Sequence, residues 1–271
     1  MLTYDALIKE AKNSGMPTTK MRGILREYLQ ILILKELYRS ENGRKLYFTG
    51  GTYLRIVHNL KRFSEDLDFN TDNINKKEFE NIINNIAIEL KRKNIDSKIM
   101  FNHCGNIYAA DMCFYSIEKA YNITSIYSKK SGIVIKMETN RPKWKIKKET
   151  SVISGFGETY PCICTDKGAL FADKIDAFNK KERARHLYDI IFMLSNKYTI
   201  DKNVLLSLGI RTDPFDVILK RTMSFSKSEL KKQAERLKPF LFEESDSDLI
   251  ANAHDIIPAL IDKYKRLINQ S

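Results

Sequence analysis

Asp66 and Asp68 stand two residues apart in the run Arg62-Phe-Ser-Glu-Asp-Leu-Asp-Phe69. On an extended strand such a pair projects from one face, about 6–7 Å apart along the backbone. Both carboxylates can therefore reach one divalent cation. An isolated Asp-x-Asp is equally the mark of a solvated edge strand, but two features beside this one favour a site. Leu67 and Phe69 give the opposite face an apolar surface, and Gly50-Gly51-Thr52 lies upstream across one helix-length segment. A glycine pair allows a tight turn and close approach of backbone to a ligand. The Thr52 hydroxyl and the first N–H groups of a following helix can then hold a triphosphate. Arg55, one turn further, either touches the same phosphates or is a surface arginine. The chemistry suggested is that of a nucleotide held by backbone and metal.

Three further segments could contribute. In Ile133-Val-Ile-Lys-Met-Glu138 a period of two puts Lys136 and Glu138 on one face and Ile135 and Met137 on the other. Glu138 is then either a third carboxylate, binding metal or accepting a proton from an attacking hydroxyl, or half of a cross-strand ion pair. Lys181, Arg185 and Asp189 recur every four residues, the spacing of an ion-pair ladder on a helix surface. If Arg141-Pro-Lys-Trp-Lys-Ile-Lys-Lys148 is a strand, Arg141, Lys143, Lys145 and Lys147 form a basic stripe suited to nucleic-acid phosphates, or else a lysine-protected edge. Trp144 falls on the other side, as a core residue.

The elements that position these residues follow from periodicity and punctuation. A short helix over residues 3–13 ends at Asn13-Ser-Gly15, and Pro17-Thr-Thr19 caps a long helix reaching about Tyr38. That helix has one apolar face of Met21, Ile24, Leu25, Tyr28, Ile31 and Leu32, with Leu29, Ile33, Leu34 and Leu37 off it. Its second half should be buried on more than one side. Residues 46–49 read as a buried strand, 52–60 as a helix, 66–70 as a second strand and 75–92 as an amphipathic helix. Candidate strands follow at 96–103, 106–115, 132–139 and 143–148. After Gly155-Phe-Gly157 the pattern becomes helical, with helices from Thr165-Asp166 to about Phe178, over 181–196, and onward between prolines. The chain therefore divides near residue 155 into an α/β part, 1–155, and a helical part, 156–271.

Composition sets the remaining bounds. With 271 residues, 43% of them hydrophobic, the chain can bury a sizeable core. Its 46 Lys and Arg against 34 Asp and Glu leave a formal charge of +12, which either favours polyanionic partners such as RNA, DNA or nucleoside triphosphates or serves solubility alone. The apolar stretch 24–37 is broken by charged residues and cannot span a bilayer, so a cytoplasmic protein with no membrane partner is expected. Cys104, Cys113, Cys162 and Cys164 lack the paired spacing of a zinc site and read as reduced thiols.

The runs Gly50-Gly-Thr-Tyr-Leu-Arg55 and Arg62-Phe-Ser-Glu-Asp-Leu-Asp-Phe69 resemble the signature of the AbiEii/AbiGii family of nucleotidyltransferase toxins. That family is related to the MenT toxins, within the DNA polymerase β-like nucleotidyltransferase superfamily. Lys136-Met-Glu138, Lys174 in Ala172-Asp-Lys-Ile-Asp-Ala177, and Arg185-His-Leu-Tyr-Asp189 continue the resemblance in order, over roughly residues 20 to 196. Two positions depart from it: His186 stands where the family often has aspartate, and Thr52 where the wider superfamily commonly has serine. The resemblance implies an α+β fold, a mixed polymerase β-like sheet flanked by helices, with the helical C-terminal part completing the active-site cleft. It implies that Lys174 contacts the triphosphate and that Asp189 orients that lysine or the nucleotide.

The resulting expectation is an Mg²⁺-dependent nucleotidyltransferase moving a nucleotide from an NTP to an acceptor hydroxyl, with a tRNA 3′ end as the leading acceptor. Asp66, Asp68 and Glu138 would hold two Mg²⁺ ions, while Gly50, Gly51, Thr52, Arg55 and Lys174 would bind the nucleotide. The resemblance further implies a toxin of a toxin–antitoxin or phage-defence system, restrained by an antitoxin. The alternatives are a related enzyme that modifies a protein or a small molecule such as an antibiotic, and a non-catalytic nucleotide- or RNA-binding protein.

Overall fold

Phe48, Leu67, Phe69, Ile135, Met137 and Cys164 are fully or almost fully buried. They mark the inner face of the central strands in a computed structural model that describes residues 1–123, 132–181 and 183–268. The elements are α1 (Tyr4–Asn13), α2 (Met21–Arg39), β1 (Tyr47–Thr49), α3 (Gly50–His58), β2 (Leu67–Asn70), α4 (Lys76–Arg92), β3 (Lys98–Phe101) and β4 (Tyr108–Phe114). They continue as α5 (Ile117–Ala120), β5 (Ile133–Asn140), β6 (Lys148–Gly155), β7 (Glu158–Thr165), α6 (Lys167–Lys180) and α7 (Ala184–Ser195). The chain then runs through α8 (Lys202–Ser207), α9 (Pro214–Met223), α10 (Lys227–Leu237), α11 (Asp248–Ala251) and α12 (Ala253–Ile268).

The strands form one mixed sheet in the order β3-β4-β5-β2-β1-β7-β6. β1 and β2 are antiparallel to each other, while β5 joins β2 and β7 joins β1 in parallel. The strand carrying Asp68 is thus central rather than an edge, and it starts at Leu67, one residue after Asp66. The expected α+β class holds: a seven-stranded mixed sheet with flanking helices, followed by a helical C-terminal part.

Two compact units make up the chain. The first comprises Met1–Asn59, Phe63–Pro142 and Lys148–Thr165; the second comprises Leu60–Arg62, Lys143–Lys147 and Asp166–Ser271. The division expected near residue 155 therefore lies ten residues later. Gly155-Phe-Gly157 is the turn of the β6–β7 hairpin, with Phe156 and Gly157 both at positive φ (52° and 76°), as tight hairpin turns require. Because β7 pairs with β1, the sheet closes only at Thr165.

In the first unit α2 is buried on several sides, with Leu29, Ile33, Leu34 and Leu37 as fully enclosed as Ile24 and Leu25. It contacts α4 and strands β5, β6 and β7. α4 begins with a capping box in which Asn75 and Glu78 satisfy each other's backbone N–H groups. α2 starts instead at Met21 behind Lys20, with no side-chain cap. The expected strand 143–148 does not form; residues 143–147 connect β5 to β6, which begins at Lys148, so their alternation of basic and apolar residues makes no stripe on the sheet. Trp144 is buried there, as expected.

In the second unit α6 is capped by Asp166 and packs on α7, α8 and α9. α7 starts three residues later than expected, at Ala184, and position 182 of the expected 181–196 helix lies outside the described residues. No helix among the described residues is long and apolar enough to cross a membrane.

Candidate active site

The turn between β1 and α3 is shaped by a residue that must be glycine for two reasons. Gly50 has φ +81°, in the left-handed region, and a Cβ placed on it would lie 2.3 Å from Asp68 Oδ2. The backbone of the turn thus lies directly against the Asp68 carboxylate, and Thr49 pairs with Asp68 across the β1–β2 ladder. Gly51 is the second residue of α3, whose N-cap Thr49 makes no side-chain capping bond to the first turn.

Thr52 and Arg55 take other roles than those expected. Thr52 is fully buried, and its hydroxyl donates to the backbone carbonyl of Asp66. It fixes the start of β2 and does not offer its hydroxyl to a ligand. Arg55 is neither a surface arginine nor placed toward open solvent: it is 4% exposed and donates through Nε to both carboxylate oxygens of Glu27 on α2, and through Nη1 to Asn59. Two more α2 side chains steady the approach to β2. Gln30 donates to the carbonyls of Ser64 and Glu65, both at 3.0 Å, and Arg26 pairs with Glu65 at 2.8 Å.

The carboxylates lie on one face. Asp68 and Glu138 are register partners across parallel strands β2 and β5. Side chains at one rung of a parallel pair point to the same side, and the period of two adds Lys136 to that side; Asp66 immediately precedes β2, and its charge acts on Lys136 as that of Asp68 does. All four are half-buried, while Leu67, Phe69, Ile135 and Met137 are sealed beneath. The ammonium group of Lys136 bonds to the Glu138 carboxylate. That bond, followed by the negative charges of Glu138, Asp66 and Asp68, raises the lysine above its ordinary pKa. Glu138 is thus ion-paired along its own strand, to Lys136, and not across strands as one reading expected. Among the described residues no three Asp, Glu, His or Cys side chains gather closely enough to hold a metal ion. By donor chemistry Asp66 and Asp68 fit a hard divalent cation, since they offer oxygen ligands on one solvent-reachable face. Glu138 joins them only on leaving Lys136.

A second polar cluster on this unit escaped sequence reasoning. Lys148 Nζ donates to the Tyr47 hydroxyl at 2.6 Å and pairs with Asp72 at 3.2 Å, and Tyr47 donates to Asp72. Asn70 donates to Thr165 Oγ1 at 3.1 Å. Burial acts to raise the Asp72 carboxyl, but the bonds from Tyr47 and Lys148 outweigh it and leave its pKa below the ordinary value. Neighbouring on β7, Cys162 and Cys164 place their buried, free thiols 3.5 Å apart.

Lys174 and Asp189 meet in the second unit, in a form the helix-ladder reading did not anticipate. Asp189 is completely buried on α7. Its carboxylate accepts a bond from Lys174 Nζ of α6 at 2.7 Å and a two-point bond from Arg62, Nε to Oδ1 and Nη2 to Oδ2, both at 2.8 Å. Burial pushes the Asp189 pKa up, yet the charges of Arg62 and Lys174 prevail and set it below the ordinary carboxylate value. Arg62 was overlooked in the sequence because the run it opens draws attention to its aspartates. Its place at the head of that run was the available signal. His186, one turn before Asp189, is 9% exposed, and neither ring nitrogen has a hydrogen-bond partner among the described residues.

The profile of the family described as "Nucleotidyl transferase AbiEii toxin, Type IV TA system" matches residues 32–257. Among solved structures, JHP933 from Helicobacter pylori is similar with a TM-score of 0.52 at 16% identity, over 92% of this chain and 95% of that one. MenT4, a nucleotidyltransferase toxin of Mycobacterium tuberculosis H37Rv, gives 0.49 at 17% identity, over 88% of this chain and 72% of that one. No curated protein matches the sequence.

Proposed function

Because this chain belongs to the AbiEii nucleotidyltransferase toxin family of type IV toxin–antitoxin systems, we propose that it transfers a nucleotide from an NTP to an acceptor hydroxyl, at the 3′ end of a tRNA. The observation that carries this reading is the meeting of the Gly50 turn with the Asp68 carboxylate, on the face that also bears Asp66 and Glu138. Backbone placed that close to a carboxylate brings phosphate-binding N–H groups beside metal-binding oxygens.

In this reading Asp66 and Asp68 hold Mg²⁺, with Glu138 joining them when it exchanges Lys136 for the ion. Bound divalent cations in such sites promote loss of the acceptor proton and neutralise the charge that develops on the pyrophosphate. Gly50 and Gly51 supply backbone donors for the phosphates, and Thr52 and Arg55 hold the frame in which those donors stand. Lys174 is the side-chain cation for the triphosphate, and Asp189 orients it. The +12 charge supports a polyanionic acceptor such as RNA. The family supports a cognate antitoxin as the natural restraint on this activity.

The acceptor is tested by incubating the protein with each NTP, labelled at the α-phosphate, together with Mg²⁺ and total RNA. Label recovered in tRNA, and removed by trimming the 3′ end, supports the proposal. Label recovered in protein or in small molecules contradicts the proposed acceptor while leaving nucleotide transfer in place.

A further inference from the structure

His186 is a buried polar side chain with no evident employment. Its ring is 9% exposed and both nitrogens lack a partner among the described residues. Each unsatisfied buried polar group costs about 1–3 kcal/mol. Packing does not explain such a residue, because an apolar side chain would fill the same space at less cost.

The neighbourhood offers it a task. His186 precedes Asp189 by three residues on α7, a spacing that puts side chains about 5–6 Å apart at Cβ on one helix face. Burial first, then the positive charge of Lys174, lowers its pKa to about 3, with Arg185 and Arg62 acting the same way and Asp189 opposing them. The ring is therefore neutral near pH 7 and carries one N–H donor.

Asp189 holds two cations unequally. Arg62 occupies both oxygens through a planar fork, whereas Lys174 makes one bond to Oδ2 from a flexible stem. If the lysine leaves, the arginine still pairs the carboxylate, but Oδ2 loses one donor in a site without solvent.

We propose that His186 is the exchange donor of this buried cluster: when Lys174 turns from Asp189 to a polyphosphate anion, the imidazole N–H takes its place on Asp189 Oδ2. The exchange makes and breaks hydrogen bonds only, and the imidazole keeps its proton. It lowers the cost of releasing the lysine and so raises affinity for the anion. His186 acts through Lys174 and Asp189 and is a positioning residue. The inference rests on the reading that Lys174 serves the phosphates of the nucleotide.

Inorganic tripolyphosphate binding to the full chain, followed by calorimetry beside thermal unfolding, tests it. Wild type should bind, and Lys174→Met should not. His186→Leu should bind at least about tenfold more weakly, the loss of one bond to a charged group, while melting at a higher temperature. His186→Gln, which restores an N–H, should recover most of the affinity. In the wild type, the ¹⁵N resonances of the His186 ring should move to hydrogen-bonded values on adding tripolyphosphate.

Wild-type affinity in His186→Leu, or ring resonances that do not move, overturns the exchange while leaving the role of Lys174 intact. Equal binding by wild type and Lys174→Met overturns the role of Lys174 and the exchange with it.

Discussion

The Cα of Gly50 stands so close to the carboxylate of Asp68 that a single methyl group on it would lie 2.3 Å from Oδ2. The Gly50 turn and the strand bearing Asp68, the proposed phosphate and metal sites, are therefore one mechanical unit, and a change in either displaces the other. Gly50→Ala should abolish nucleotide transfer. The forced left-handed alanine adds on the order of 1–3 kcal/mol of strain, read as a lower midpoint in urea unfolding. Gly51→Ala, at a helical position in α3, should leave stability far less changed.

The buried cluster around Asp189 should respond unequally to loss of its members. Asp189→Asn leaves Arg62 and Lys174 facing a neutral amide, and removing one partner of a buried ion pair costs about 3–5 kcal/mol. Lys174→Met leaves the two-point Arg62–Asp189 bond intact and should be much milder. Equilibrium denaturation of the two variants should place Asp189→Asn well below Lys174→Met.

His186 gives stability a dependence on pH with a definite sign. Its pKa is about 3 in the folded protein against an ordinary value of 6.5, so the unfolded chain takes up a proton in that interval and the folded chain does not. Stability is lost as pH falls from the higher value toward the lower. Wild type should therefore lose stability relative to His186→Leu between about pH 7 and pH 5. Asp189 acts at lower pH: its folded pKa lies below the ordinary 3.8, so its contribution is complete above that value and disappears as pH falls through the folded one. A constant gap between wild type and His186→Leu across the first interval would contradict the buried, neutral imidazole.

Glu138 is held by Lys136, so a metal ion in the proposed site would compete with the lysine for this carboxylate. Lys136→Met should free Glu138 and strengthen Mn²⁺ binding, measured by titration with Mn²⁺ as a paramagnetic probe for Mg²⁺. Glu138→Gln should weaken it. Equal Mn²⁺ affinity in wild type and Glu138→Gln would remove Glu138 from the metal set.

Much of the first unit could be read from local pattern. The apolar run before Gly50, the glycine turn and the alternation through Leu67 and Phe69 each depend on neighbours in sequence, and the strand–turn–helix–strand order followed. Long-range pairing was out of reach. Arg55 has the i+4 placement of a phosphate-facing arginine, but its partner Glu27 comes from a helix 28 residues away. Asp189 fits a surface ladder with Lys181 and Arg185, yet its partner Arg62 is separated by 127 residues. β7 was missed because Pro161 interrupts its pattern. Its facing residue on β6 is Val152, whereas β1 meets β7 at Cys164, three residues further on. The segment 143–148 shows the opposite failure: alternation of basic and apolar residues resembled a strand, although a buried Trp144 in a connection produces the same spacing.

If the Asp66–Asp68 face performs nucleotide transfer, label should pass from α-phosphate-labelled NTP to RNA in the presence of Mg²⁺ with the wild type. Asp68→Asn, shown by circular dichroism to be as folded as the wild type, should lose at least about a thousandfold of that incorporation, the scale of removing a principal transition-state contact. Equal incorporation by the two proteins would contradict this role of the face.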